Sequence, residues 1–215
     1  MKSVLREAIE WLICIIIAVV LALLVRYYIG TPTIVQQTSM FPTLKENERL
    51  WLNRWGRTTK KFPKRGDIIT FEAPSAKRLE KVNLNNPIAQ YDYEPQSTLE
   101  KFSYYVLESG KKSYIKRVIG LPGEYIEIKN GSVYIDGKKL EEDYLQPGVV
   151  TDVVQGNREE NLYTNFTVPA NCVFALGDNR PGSTDCRAFG CIPLEKIEGT
   201  VSFRFWPISK FGGVD

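Results

Sequence analysis

The chain has 215 residues, with 28 Lys and Arg against 25 Asp and Glu, a net charge of +3, four cysteines and no histidine. That length holds one membrane segment plus one sizeable core or a domain with a subdomain, and the mild, dispersed charge offers no footprint for nucleic acid. The lack of histidine excludes a Ser-His-Asp triad, a Cys-His pair and a His-Glu-x-x-His zinc site, so a nucleophile here must be activated by lysine or a carboxylate.

Residues 11–25 form an uninterrupted apolar run rich in Ile, Val and Leu. Ala8 and Ile9 extend it on one side, and Tyr27, Tyr28 and Ile29 extend it past Arg26. The total is roughly 20 residues, enough to cross a bilayer as a helix. Trp11 and the two tyrosines suit the interfaces, and Arg26 can snorkel. No small-x-small cleavage site follows, so an uncleaved anchor is expected over 11–29. Lys2 and Arg6 against the single Arg26 favour residues 1–10 in the cytoplasm and 30–215 outside.

After the anchor the chain reads as strands, at 33–37, 49–53 and 68–71, with a hairpin-like turn at 64–67. Ser39 precedes Pro42, which biases Phe41 away from helical geometry, and Ser39 is expected outside a helix. The 73–112 stretch has little periodicity until Ser97-Thr98-Leu99-Glu100, which has the spacing of a capping box. A helix is expected from about 98 to 109, with Gly110 as its stop and Leu99, Phe102 and Val106 on one face, packed on the domain in preference to the alternative, lipid. Residues 113–119 read as a strand with Tyr114, Lys116 and Val118 on one face and Ile115, Arg117 and Ile119 on the other. Both faces are otherwise apolar, so one of the two cations is expected in a largely apolar setting.

Asn130-Gly131 between alternating runs marks a type I′ hairpin, and Asp136-Gly137 offers a second turn. Residues 141–165 are polar and turn-rich, an expected excursion over the surface. A strand at 171–176 feeds a loop at 177–187 dense in charge, hydroxyls and glycine, as site loops often are. A last strand covers 199–206. Cys14 lies in the anchor, and Cys172, Cys186 and Cys191 lack the paired spacing of a zinc site, so no metal is expected.

Four motifs stand in order behind the anchor. They are Ser39-Met40-Phe41-Pro42-Thr43, then Arg65-Gly66-Asp67 before an apolar strand, then Lys116-Arg117-Val118-Ile119-Gly120-Leu121-Pro122-Gly123, then the box running from Gly177-Asp178-Asn179-Arg180 to Ser183, Asp185 and Arg187. With these the chain resembles a type I signal peptidase of the short, single-anchor form typical of Gram-positive bacteria. The resemblance implies a mainly β fold, in which an N-terminal transmembrane helix leads into a β-rich catalytic domain with a smaller β subdomain at about 121–176. It implies a membrane-bound serine endopeptidase, needing no cofactor, that removes signal peptides from secreted preproteins after small residues. Those preproteins and the lipid bilayer are the implied partners.

The same resemblance assigns roles. Ser39 would be the nucleophile and Lys116 its base. Ser183 would orient the lysine amine, and Asp185 and Arg187 would brace the loop as an ion pair, with Asp178 and Arg180 in support. Substrate would lie extended between Ile34, Val35, Gln36 and Gln37 on one side and Ser113, Tyr114 and Ile115 on the other, with Met40 beside the nucleophile. An ordinary lysine, with a pKa of ~10.4, is neutral in only roughly one molecule in 2,500 at pH 7, so the base must be buried to work.

Three departures bear on this. Cys186 replaces a serine of the family loop, and an oxidising exterior would let it bridge to Cys191, although so short a loop strains the Cα separation a disulfide needs. Gln37 stands where relatives carry the Gly or Ser that helps form the oxyanion hole. It leaves open a catalytically silent, membrane-anchored β-domain that binds or helps assemble secreted proteins. The 73–112 stretch is longer than in short relatives and reads as an insertion.

Overall fold

The computed structural model describes residues 2–75, 83–152 and 162–214. The apolar run forms α1 (Lys2–Leu24), which passes through a π-helical turn (Val25–Ile29) into β1 (Gly30–Ile34). Val4–Ile29 is long and apolar enough to cross a membrane, with a mean hydropathy of 3.0, and is not buried by the rest of the chain. Its C-terminal end is tied to the domain. The Arg54 backbone N–H donates to the Ile29 carbonyl at 2.9 Å, and the Arg54 guanidinium to the Arg26 carbonyl at 3.3 Å. Glu108 then bridges Arg26, at 2.6 Å, and the buried Arg54. Arg26 is therefore held by a carboxylate rather than left to snorkel. Burial alone would raise the Glu108 carboxyl, but the Arg54 and Arg26 guanidinium groups outweigh it and hold it below its ordinary value.

The remainder is mainly β, as expected. One sheet has seven strands in the order β1, β2 (Arg49–Asn53), β11 (Ile197–Trp206), β3 (Ile68–Glu72), β4 (Ser113–Gly120), β9 (Cys172–Leu176) and β10 (Ile192–Pro193). The second has four, in the order β7 (Lys138–Lys139), β6 (Ser132–Ile135), β5 (Tyr125–Lys129) and β8 (Asn165–Thr167). All ladders between these strands are antiparallel. The larger core runs between the two sheets, from Val118, Phe174 and Leu176 to Ile126, Val133 and Phe166. A smaller one, of Val35, Met40, Leu44, Leu50 and Ile68, underlies the Ser39 segment. The small sheet falls inside the expected 121–176 window, but β9 belongs to the large one.

Local chemistry explains the elements that match. Asn130 and Gly131 both have positive φ, at 51° and 71°, as the type I′ turn between β5 and β6 requires. Ser97 caps α3 (Thr98–Tyr105), accepting from the Glu100 N–H while Glu100 accepts from the Ser97 N–H, so the capping box is complete.

Several expectations are corrected. The turn at 64–67 does not close a hairpin, because β11 lies between β2 and β3. The first strand occupies Gly30–Ile34 instead of 33–37. The helix ends at Tyr105, and its Leu99 and Phe102 face outward, 79% and 44% exposed. The reason is a buried charge cluster beneath it. Lys111 meets Glu198 at 2.7 Å and Glu72 at 3.9 Å, and Lys196 meets Glu72 at 3.5 Å. Lys111 also lies 5.5 and 5.7 Å from the Tyr104 and Tyr105 ring centres. A buried ammonium seeks carboxylates and ring faces, so the tyrosine side of α3 turns inward. The 141–165 excursion is not purely superficial either. Glu142 and Thr151 accept from the fully buried Arg180. Residues 153–161 of that excursion, and 76–82 of the insertion, lie outside the described residues.

Candidate active site

Ser39 sits in a single 3-10 turn, Thr38–Met40, at the end of the extended segment that continues β1. It was expected outside any helix. The proline constraint falls on Phe41, which is extended at φ −68° and ψ 138°, and leaves Ser39 free to turn. Two contacts from the 177–187 loop hold this turn. The Asn179 N–H donates to the Ser39 carbonyl at 3.0 Å, and the Asn179 amide to the Thr38 carbonyl at 3.2 Å.

Lys116 reaches the same point from the middle of β4. Its Nζ lies 2.8 Å from Ser39 Oγ and donates to the Ile115 carbonyl at 3.0 Å. Lys116 is 1% exposed and Ser39 5%. Burial disfavours the ammonium and brings the Lys116 pKa down to about 8; Asp185, Cys186 and Asp178 pull it upward, and Arg187 pushes it further down. Both cations of β4 are in fact buried, and Arg117 is reconciled with burial by a bidentate pair to Asp178, with contacts at 3.0 and 2.9 Å.

The loop supplies matched charges. Asp185 accepts from Arg187 at 2.9 Å through both oxygens, caps the short α4 (Cys186–Phe189) and accepts from the Gly177 N–H at 3.1 Å. Burial would raise the Asp185 carboxyl, but Arg187 outweighs it and holds it below the ordinary carboxylate range. Arg180 pairs with Glu142, and its Nε donates to the Gly177 carbonyl at 3.0 Å. Ser183 is buried beside Gly177, yet among the described residues its Oγ has no hydrogen-bond partner, Lys116 included. The amine is thus aimed by Ile115 and Ser39 in this state.

A cleft of about 350 Å³ contains the pair, lined by Gln36, Gln37, Thr38, Tyr114, Gly182, Thr184 and Glu46. It continues into a narrow groove of about 90 Å³ between Ile34, Val35, Gln36 and Gln37 and Ser113, Tyr114 and Ile115, with Thr70 also in its lining. Both walls are open strand edges. Among the described residues β1 pairs only with β2, and the 113–116 half of β4 only with β3. Val35 and Met40 turn their side chains into the smaller core, so the groove meets them from above. A larger cavity, of about 670 Å³, lies behind Arg117 and Tyr144 and holds neither Ser39 nor Lys116; the close Ser39–Lys116 contact, not volume, marks the candidate site.

The sequence reading missed Thr43, whose hydroxyl donates to Asp178 at 2.6 Å and ties the Ser39 segment to the loop. Its place in the Ser39 motif was the available signal. It also missed Arg117 as the partner of Asp178, and Glu46 in the cleft. The Cys186–Cys191 bridge that an oxidising exterior would allow is not formed. Cys172, Cys186 and Cys191 are buried free thiols, and Cys186 Sγ accepts from the Ala175 N–H at 3.2 Å. Burial raises all three thiols, Cys172 to about 11. Among the described residues no group of His, Cys, Asp and Glu is arranged to hold a metal.

Comparison with known proteins gives a consistent result. A model of the family described as "Signal peptidase, peptidase S26" matches residues 8–206. Signal peptidase IB of Staphylococcus aureus is 34% identical over 219 residues, spanning 96% of this chain and 93% of its own. Signal peptidase I S of Bacillus subtilis is 34% identical over 209 residues, spanning 95% and 92%. A crystal structure of a signal peptidase I from Enterococcus faecalis is 30% identical and covers 66% of this chain and 98% of that one, with a TM-score of 0.40.

Proposed function

The chain belongs to the signal peptidase family, peptidase S26, and from that premise we propose that it is a membrane-anchored serine endopeptidase that removes signal peptides by a Ser39/Lys116 dyad. The observation that carries the reading is the 2.8 Å approach of a buried lysine amine to the Ser39 hydroxyl. With the Lys116 pKa at about 8, roughly one amine in ten is neutral at pH 7.

The neutral amine takes the Ser39 proton as Oγ attacks the scissile carbonyl. The Ser39 backbone N–H is the first candidate to receive the oxyanion. Collapse of the tetrahedral species breaks the C–N bond, and Lys116 returns its proton to the leaving amine. Lys116 then deprotonates a water that attacks the acyl ester, and Ser39 recovers its proton on release. Asp185, Arg187, Asp178 and Arg180 hold the loop that grips the nucleophile turn.

The peptide adds as a strand between the open edges of β1 and β4. The groove of about 90 Å³ favours small side chains at the −1 and −3 positions. At most ~36 Å of chain separates Ile29 from Ser39, which keeps the site close to the membrane face where a signal peptide emerges. Residues 11–29 span the bilayer in this reading, with residues 1–10 cytoplasmic and 30–215 outside.

The test is to incubate the detergent-solubilised protein with one preprotein and sequence the new N-terminus. Cleavage after an Ala-x-Ala-like site, abolished by Ser39→Ala with the fold retained, is expected. A Ser39→Ala variant that still cleaves at near wild-type rate removes Ser39 as nucleophile. A substrate with Leu or Phe at −1 cut as fast as one with Ala removes the proposed specificity.

A further inference from the structure

Two exposed apolar side chains stand at the outer end of the anchor. Trp55 follows Arg54, whose N–H and guanidinium bond the Ile29 and Arg26 carbonyls. Leu107 precedes Glu108, whose carboxylate bonds Arg26 and Arg54. Each is one residue, at most ~4 Å of backbone, from a group fixed to the last turn of the span. Both are exposed, and so are Phe102 and Leu99 on α3, whose Tyr104 and Tyr105 face Lys111 of the buried charge cluster.

We propose that Trp55, Leu107, Phe102 and Leu99 form a collar that enters the headgroup region of the outer leaflet, making α3 and its C-terminal turn a second, interfacial membrane contact. The proposal rests on the reading of residues 11–29 as a bilayer span. Its geometry is independent of catalysis. A charge cluster with Arg54 buried at its centre fixes both halves of the collar to the anchor's end, so wherever the anchor ends in lipid, the collar meets the interface. Tryptophan favours that interface. A helix that presents Leu and Phe outward and its tyrosines to the protein has the layout of an interfacial helix whose apolar side lacks cover in water. Lipid is the occupant because Arg54 and Glu108 hold Trp55 and Leu107 beside the end of the span itself.

The test uses the full chain in phosphatidylethanolamine/phosphatidylglycerol vesicles and nitroxide labels read by power-saturation resonance. In a Cys14→Ser background, Leu99→Cys and Phe102→Cys are labelled one at a time. Lys138→Cys, on an exposed strand of the small sheet, reports water, and native Cys14 in the unsubstituted chain reports the anchor. The labels at 99 and 102 are expected to show a several-fold higher ratio of oxygen to nickel-chelate accessibility than the label at 138, approaching that at Cys14. If 99 and 102 match 138 while Cys14 reads as lipid, the collar is overturned and the anchor stands. If Cys14 also reads as water, both readings fall. If 99 and 102 are shielded from both reagents, protein covers the helix and the lipid assignment is overturned.

Discussion

Lys116 concentrates the chemistry and its cost in one side chain. In the proposed dyad only the neutral amine accepts the Ser39 proton, so kcat/KM should rise with pH through an apparent pKa near 8 and level off above it. Lys116→Arg should be inactive, since a guanidinium stays protonated, and Lys116→Ala should be equally inactive without any charge. An active Lys116→Arg variant would show that residue 116 only steers substrate. The same shift has a stability consequence. The folded pKa of about 8 lies below the unfolded 10.5, so between those values the unfolded chain binds more protons and stability rises with pH. Below pH 8 the buried ammonium therefore costs ~3 kcal/mol at ~1.4 per pKa unit. Lys116→Met removes that cost and also the contacts to Ser39 and Ile115, each worth about 1 kcal/mol. A net gain of roughly 1–2 kcal/mol is expected at pH 6, vanishing by pH 10, and denaturant titrations at the two pH values measure it. Ser183→Ala should reduce kcat/KM less than either Lys116 change, because its hydroxyl has no partner in this state and the reacting pair remains. A Ser183→Ala enzyme as inactive as Lys116→Ala would require Ser183 to join the proton transfer.

At the level of elements, the 177–187 loop and the Ser39 turn touch without room to spare. A Cβ on Gly177 would lie 2.5 Å from the Ser39 carbonyl oxygen and 2.2 Å from Ser183 Oγ. Gly177→Ala should therefore fold, since the buried ion pairs of the loop remain, but displace the nucleophile and lower kcat/KM by about 10²-fold. Circular dichroism together with single-turnover rates separates this from unfolding. What the sequence made legible follows from how local each decision is. β2, the Asn130-Gly131 turn and the Ser97 cap are set by neighbours in the chain, and they stand where expected. Ser39 and Lys116 were legible only through motif order, because 77 residues separate them. The outward face of α3 was not legible. Its periodicity marks a stripe, but Lys111 and its carboxylates decide which side turns in. The Thr43–Asp178–Arg117 cluster was hidden for a related reason, since three segments must converge before any of its bonds exists.

Across the whole molecule, the join between anchor and domain depends on Glu108, which neutralises the buried Arg54 and the flanking Arg26. Glu108→Ala leaves Arg54 as an uncompensated buried charge, and a loss towards the lower end of ~3–5 kcal/mol is expected in detergent unfolding. No loss would mean that water already screens this cluster. The sheet order carries one more consequence. β11, from near the end of the chain, is the strand that joins β2, which leads back to Ser39, to β3, which pairs with the strand of Lys116. A chain that leaves the ribosome N-terminus first delivers both reacting residues before that strand exists. Until residues 197–206 arrive, the two halves have no shared ladder to register them, so strand order makes the meeting of Ser39 and Lys116 one of the last events in the folding of a growing chain.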